Sequence, residues 1–168
     1  QRQMCIRDRV SVVRVGSGER KEGQTLITGS PHEVVSSATV GVSPEGLAIS
    51  PNGRLIVTAN LRHSNDGASL DEGSLRGGSL SLLTLDANGQ LKLVDEYPIN
   101  AVPAGVTFDA SGEKIGVTQF RSFDTAAIDG EISFWGVERA RSSTPRLENL
   151  KYYVGPVSYT HLTLPTKA

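Results

Sequence analysis

One six-residue pattern occurs three times in this chain, and it constrains the fold more than any other feature. Residues 10–15 read V-S-V-V-R-V, residues 80–85 read L-S-L-L-T-L, and residues 132–137 read I-S-F-W-G-V. Each copy is apolar at its first, third, fourth and sixth positions and carries serine (Ser11, Ser81, Ser133) at its second. Apolar and small polar residues roughly alternate, which is the period of a β-strand. A second unit recurs between these copies. Residues 44–50, P-E-G-L-A-I-S, lead through P-N-G at 51–53 into L-I-V-T-A-N at 55–60. Displaced by 59 residues, P-A-G-V-T-F-D leads through A-S-G at 110–112 into I-G-V-T-Q at 115–119. Asn-Gly and Ser-Gly between strand-like runs are hairpin signals, because glycine supplies the positive φ that such turns need. A further turn, A-N-G at 87–89, follows the second copy of the six-residue pattern.

Each period therefore holds four strands joined as a meander, and four-stranded units in tandem are the mark of propeller blades. The expected fold is all-β: a partial β-propeller of about two four-stranded antiparallel meander blades plus the edge of a third. Residues 10–43 are expected to supply the outer strands of a first partial blade, 44–102 a blade opened by its P-x-G strand, and 103–156 the second blade. The two offsets, 59 between first strands and 52 between third strands, place a length difference in the loop between second and third strands. Insertions collect in such loops.

The ends stand apart. Residues 1–9 (Q-R-Q-M-C-I-R-D-R) and 157–168 (V-S-Y-T-H-L-T-L-P-T-K-A) match nothing in the repeat. Both strings resemble translated sequencing-adapter read-through, so they are expected to be non-native and are set aside from fold reasoning. A closed propeller has about four to eight blades. The remaining blades of a parent propeller are thus expected partners, and the fragment alone is expected to associate with itself through uncovered strand edges and apolar faces.

The run P-E-G-L-A-I-S-P-N-G-R-L-I-V-T-A-N at 44–60 resembles the core of a YVTN-type blade. There a Pro-x-Gly strand, a Pro-Asp/Asn-Gly turn and a strand ending in Thr-Asn follow one another. The second copy departs from it: Ala110 replaces the turn proline, and Thr118-Gln119 stands in place of Thr-Asn. The resemblance covers most of residues 10–155 and implies a YVTN-repeat or lactonase-like β-propeller. That group includes sugar-lactone hydrolases of the 6-phosphogluconolactonase-like kind, surface-layer repeats and secreted proteins. The implied function is a scaffold that presents a loop-bearing face to a small molecule, a saccharide or a protein. The alternative is a sugar-lactone hydrolase with its site at the channel mouth. Whether the parent is an enzyme stays open, since fold does not fix function. The resemblance points to the periplasm or to secretion.

The meander brings the start of each first strand, the end of each second strand and the loop after it to one end of the blade. Glu45, Asn60, Arg62 and His63 share that end, with Gln119 and Arg121 at the corresponding places of the next blade. Glu45 and His63 are the candidate catalytic groups: His63 as a general base, Glu45 as a proton acceptor or the partner of an arginine. Asn60, Arg62, Gln119 and Arg121 are the candidate ligand-binding residues, the arginines because a planar guanidinium fork suits an anionic group. The competing reading makes all of these solvated residues at strand ends. Asp66, Asp71 and Glu72 in the first long loop, and Asp124 and Asp129 in the next, are oxygen donors of the kind that hold calcium, but no EF-hand spacing is present and acidic residues are normal in exposed loops, so no metal site is expected.

Composition narrows the partners. In 168 residues, 17 basic and 18 acidic side chains leave a formal charge of −1. There is no basic stripe for a nucleic acid and no run of roughly 20 apolar residues to span a bilayer. Cys5 is the sole cysteine, so neither an internal disulfide nor a thiolate metal cluster can form. No cofactor is expected: Gly16-Ser17-Gly18 is followed by no GK[ST] and no helical pattern. Trp135 is expected to pack between blades, and His32 has no recognisable partner.

Overall fold

The computed structural model describes residues 8–62, 77–122, 130–140, 142 and 144–154. Twelve strands and no helix occur among them. β1 (Arg9–Arg14) pairs with β4 (Glu33–Thr39), and between them in the chain comes a short ribbon of β2 (Arg20–Glu22) and β3 (Thr25–Ile27). β5 (Val42–Ile49), β6 (Leu55–Arg62), β7 (Gly78–Leu85) and β8 (Leu91–Ile99) form a four-stranded antiparallel meander. β9 (Ala101–Phe108), β10 (Lys114–Ser122), β11 (Glu131–Glu138) and β12 (Arg146–Val154) form a second. The chain is thus all-β, built from two antiparallel meanders and a two-stranded edge, with no closed barrel among the described residues.

Packing explains the six-residue pattern. Leu55, Val57 and Ala59 of β6 and Leu80 and Leu82 of β7 are buried against Ile115, Val117, Trp135, Val137 and Leu147 of the following meander. On the opposite face of the same sheet, Ile56 and Leu83 pack with Val10 and Val40. β5–β8 is therefore the middle layer of three. In β7 the first and third positions of the pattern face the following sheet, and the fourth faces the preceding one. A strand covered on both faces reads as an almost continuous apolar run, and β7 is buried from Gly78 to Leu83.

The register carries a second regularity. Pairing slips between the third and fourth pattern positions in every third-to-fourth strand pair: Val12/Val13, Leu82/Leu83 and Phe134/Trp135. It slips again at both Pro-x-Gly segments, where Glu45 and Ala104 are the extra residues. Such bulges increase local twist, so the two four-stranded sheets share twist at these two places, and the second slips once more between Gln119 and Arg121. Gly46 of the first such segment sits against β9, where a Cβ would collide with the Ala104 carbonyl oxygen. The glycine is what lets the two first strands approach.

The turns follow the expected chemistry. Gly53, Gly89 and Gly112 have φ of 70°, 80° and 73°, the left-handed region that a Cβ disfavours. Ahead of the last of these, the Asp109 carboxylate accepts the Ser111 hydroxyl at 2.7 Å and the Glu113 and Lys114 N–H groups at 3.1 Å each. The Ser111 hydroxyl foremost, and then these N–H groups, hold the Asp109 carboxyl below the ordinary carboxylate range.

Two details depart from the sequence reading. β1 starts at Arg9, and the Val40 N–H donates to the Asp8 carbonyl at 3.0 Å; pairing thus reaches two residues into the segment set aside as foreign. The β2–β3 ribbon was not anticipated, because its strands are three residues long and the first is wholly charged in sequence. Its neck is tied by Ser17 and Ser30, and by a Gly16 N–H donated to His32 Nδ1 at 3.1 Å. His32 thus has a structural partner.

Burial separates equivalent positions. Leu82→Ala should lower stability by about 2–5 kcal/mol, whereas Val13→Ala, in the same strand pattern but 49% exposed, should change it by about 0.5 kcal/mol or less; urea titrations of both variants check this. The lowered Asp109 carboxyl stabilises the fold above the ordinary carboxylate range, and that contribution is lost as pH falls through the lowered value. Asp109→Asn should therefore melt below wild type at neutral pH, with the gap closing as pH falls below the ordinary carboxylate range.

Candidate functional site

The ends of β6, β8, β10 and β12 and the starts of β5, β7, β9 and β11 share one end of the stacked sheets. Glu45 lies there, exposed on the bulge of β5. Arg62 closes β6, and Arg121 lies at the corresponding place near the end of β10. His63, Asp66, Asp71, Glu72, Asp124 and Asp129 lie outside the described residues. Among the described residues no group of three or more His, Cys, Asp or Glu side chains is placed to hold a metal ion.

Asn60 is fully buried, and its amide is engaged inside the sheet. Its Oδ1 accepts the Thr58 hydroxyl at 2.9 Å, and its Nδ2 donates to the hydroxyls of Ser79 and Ser81, both at 3.0 Å. Ser79 donates in turn to Glu96 Oε1 at 2.6 Å, and the Gly41 N–H donates to Ser81 at 3.1 Å. Gly41 closes this knot from above: a Cβ there would press on Asn60, Ser79 and Glu96. The first seam between sheets is thus sealed at this end by a fully bonded polar cluster. Such a cluster is tolerated in an apolar seam only because its members satisfy one another.

The next seam has different residues in the same places. Strand pairing sets Gln119 where Asn60 stands, Ser133 where Ser81 stands, Glu131 where Ser79 stands and Tyr153 where Glu96 stands. Here the seam holds a cavity of about 210 Å³, lined by Pro98 and Asn100 on one side and Gln119, Ser133, Trp135 and Tyr153 on the other. Gln119 is 5% exposed, and among the described residues its amide makes no hydrogen bond. Ser133 accepts the Trp135 indole N–H at 3.2 Å, and the Tyr153 hydroxyl accepts Asn149 Nδ2 at 3.3 Å. Both hydroxyls keep their own protons to donate.

Sequence reasoning singled out Gln119 and passed over Ser133, Tyr153 and Asn100. Ser133 does carry a sequence signal, as the serine repeated at the second position of each pattern. A small hydroxyl in an otherwise apolar strand marks the polar node of each seam. A wider depression of about 840 Å³ lies at the opposite, hairpin end, lined by turn residues such as Asn52, Ser111, Glu113 and Arg139.

No protein-family model matches this chain, and no curated protein matches it in sequence. No helix among the described residues is long and apolar enough to cross a membrane.

Truncating Asn60 removes the acceptor of the Thr58 hydroxyl and one bond each from Ser79 and Ser81 in a buried seam. Asn60→Ala should cost about 1–3 kcal/mol in urea denaturation, while Glu45→Gln, at an exposed position, should stay within about 0.5 kcal/mol of wild type.

Proposed function

We propose that the chain is a run of β-propeller blades whose loop-bearing end presents a binding face to a small molecule, a saccharide or a protein. The observation that supports this most is the exposure of the six-residue pattern. In β7, with a sheet on each side, its first, third and fourth positions are all buried. In β1, which no described sheet precedes, the fourth position, Val13, is exposed. In β11, which no described sheet follows, the fourth and sixth, Trp135 and Val137, are buried, while the first and third, Ile132 and Phe134, are only half-buried. Exposure thus tracks missing neighbours, one layer at a time.

The open faces are apolar beyond that strand. On the trailing face, Phe134 and Tyr152 stack as tilted rings with centroids 5.4 Å apart, and Leu150 and Val154 stand beside them. On the leading side, Val34 is exposed beside Val13. Leu47 and Ile49 of β5 are exposed on the face they share with Thr58 and Ile56. This is the ground that the two inner strands of a complete preceding blade would cover. Each open face is a register-equivalent of a face that is buried inside the chain. A further blade of the same kind fits each, and successive blades would bring their loop-bearing ends together as one polar surface.

The interface is heterologous, with the trailing face of one unit meeting the leading face of the next. The chain alone should therefore self-associate head to tail, with a sedimentation mass that rises with concentration above its 17.9 kDa. Val13→Lys and Tyr152→Lys should each halt growth, and mixing the two variants should restore a two-chain species through the pair of unaltered faces. A chain that sediments as a monomer at every concentration, or a mixture that stays monomeric, would count against the reading.

A further inference from the structure

The seam cavity beside Gln119 and its sealed counterpart around Asn60 occupy equivalent places between successive sheets, and they differ in one respect that matters for binding. Around Asn60 every polar side chain is answered by another, and the Gly41 backbone closes the top. Gln119 is 5% exposed, its amide borders the cavity without a hydrogen bond among the described residues, and Asn100 stands where Gly41 stands. An amide that lines a cavity and that packing leaves unanswered can serve as a recognition group for a ligand.

We propose that this seam cavity binds one ring of a neutral polyhydroxylated ligand, a monosaccharide unit. The inference rests on the reading of the loop-bearing end as the ligand face, and it names both the place and the chemistry. Gln119 offers two donors and an acceptor oxygen, Ser133 and Tyr153 each offer a hydroxyl proton, and Asn100 borders the cavity beside them. An amide flanked by hydroxyls suits the adjacent hydroxyls of a sugar, each of which both donates and accepts. The Trp135 indole, fixed by its bond to Ser133, supplies an apolar wall for the C–H face of the ring. Size agrees: about 210 Å³ is the room of about seven waters at ~30 Å³ each, the bulk of a single sugar ring.

Charge selects the neutral form. Among the described residues no Lys, Arg or His lines the cavity. The buried carboxyl of Glu131 lies on the same strand face as Ser133, two residues away. A sugar acid would bring its carboxylate towards that acidic group, and no cation among the described lining residues stands there to receive it.

Saturation-transfer NMR on the full chain tests this with D-glucose and D-glucuronate, which share a ring and differ in one carboxylate. Ring protons of D-glucose should receive saturation, with an affinity for D-glucuronate about tenfold weaker or less. Gln119→Leu, which keeps the bulk and removes the amide, should abolish the D-glucose signal while its melting temperature holds at or above wild type. Tyr153→Phe, which removes one hydroxyl, should weaken D-glucose by about three- to tenfold. No transfer to D-glucose at about 50 mM, more than ten times a millimolar Kd, would mean that the cavity holds solvent and would overturn the proposal. Transfer that survives Gln119→Leu but is lost in Glu45→Ala would overturn the seam site and leave the loop-bearing end standing as the ligand face.

Discussion

The third strand of each repeat is apolar on both of its faces, and the rest of the structure follows from satisfying it. A strand with one apolar face is content in a sheet that is open to water on the other. A strand with two needs a sheet on each side, because each large buried side chain contributes about 1.5–3 kcal/mol only when water is excluded from it. β7 obtains both neighbours and disappears from the surface. That requirement stacks the sheets instead of letting them lie side by side. It also sets the direction of the repeat, since pattern positions one and three look forward and position four looks back.

Stacking alone would allow neighbouring sheets to slide over one another. The polar nodes and the bulges restrict that freedom. A serine in each third strand, joined in the first seam by Asn60, must meet particular partners, and an offset of one residue would leave several hydroxyls and amides buried without bonds. The bulges recur at the same pattern positions in each sheet, so the sheets twist alike and their faces match. The loop-bearing end inherits its geometry from these two devices. A sealed cluster at one seam and a cavity at the next arise from changes at a few equivalent positions on an otherwise unchanged frame.

Much of the frame was legible in the residues. Strand period, hairpin glycines and the four-strand meander were all readable, because each depends on local backbone preference or on alternation within one strand. The β2–β3 ribbon was not legible: strands of three residues are too short to carry a periodic signal. The bulges were equally hidden, since Val35 and Val94 look like ordinary members of an apolar run until the partner strand shows that they have no opposite number. At the candidate site, Gln119 stood out by its place in the repeat. Its neighbours Tyr153 and Asn100 did not, because they lie on different strands and turns and meet only when β12 and the β8–β9 turn close around β11.

By itself the sequence determined the kind of strand, the order of strands and the existence of a repeating unit with two apolar faces. Those properties reside in spacing along the chain, where side-chain direction alternates with every residue. Only the tertiary structure decided which faces are covered, which polar residues seal a seam and which one leaves a cavity. Asn60 and Gln119 occupy the same place in their repeats and are both polar and buried. What separates them is the set of groups that other strands bring within hydrogen-bonding distance, and that set is fixed only when the sheets pack.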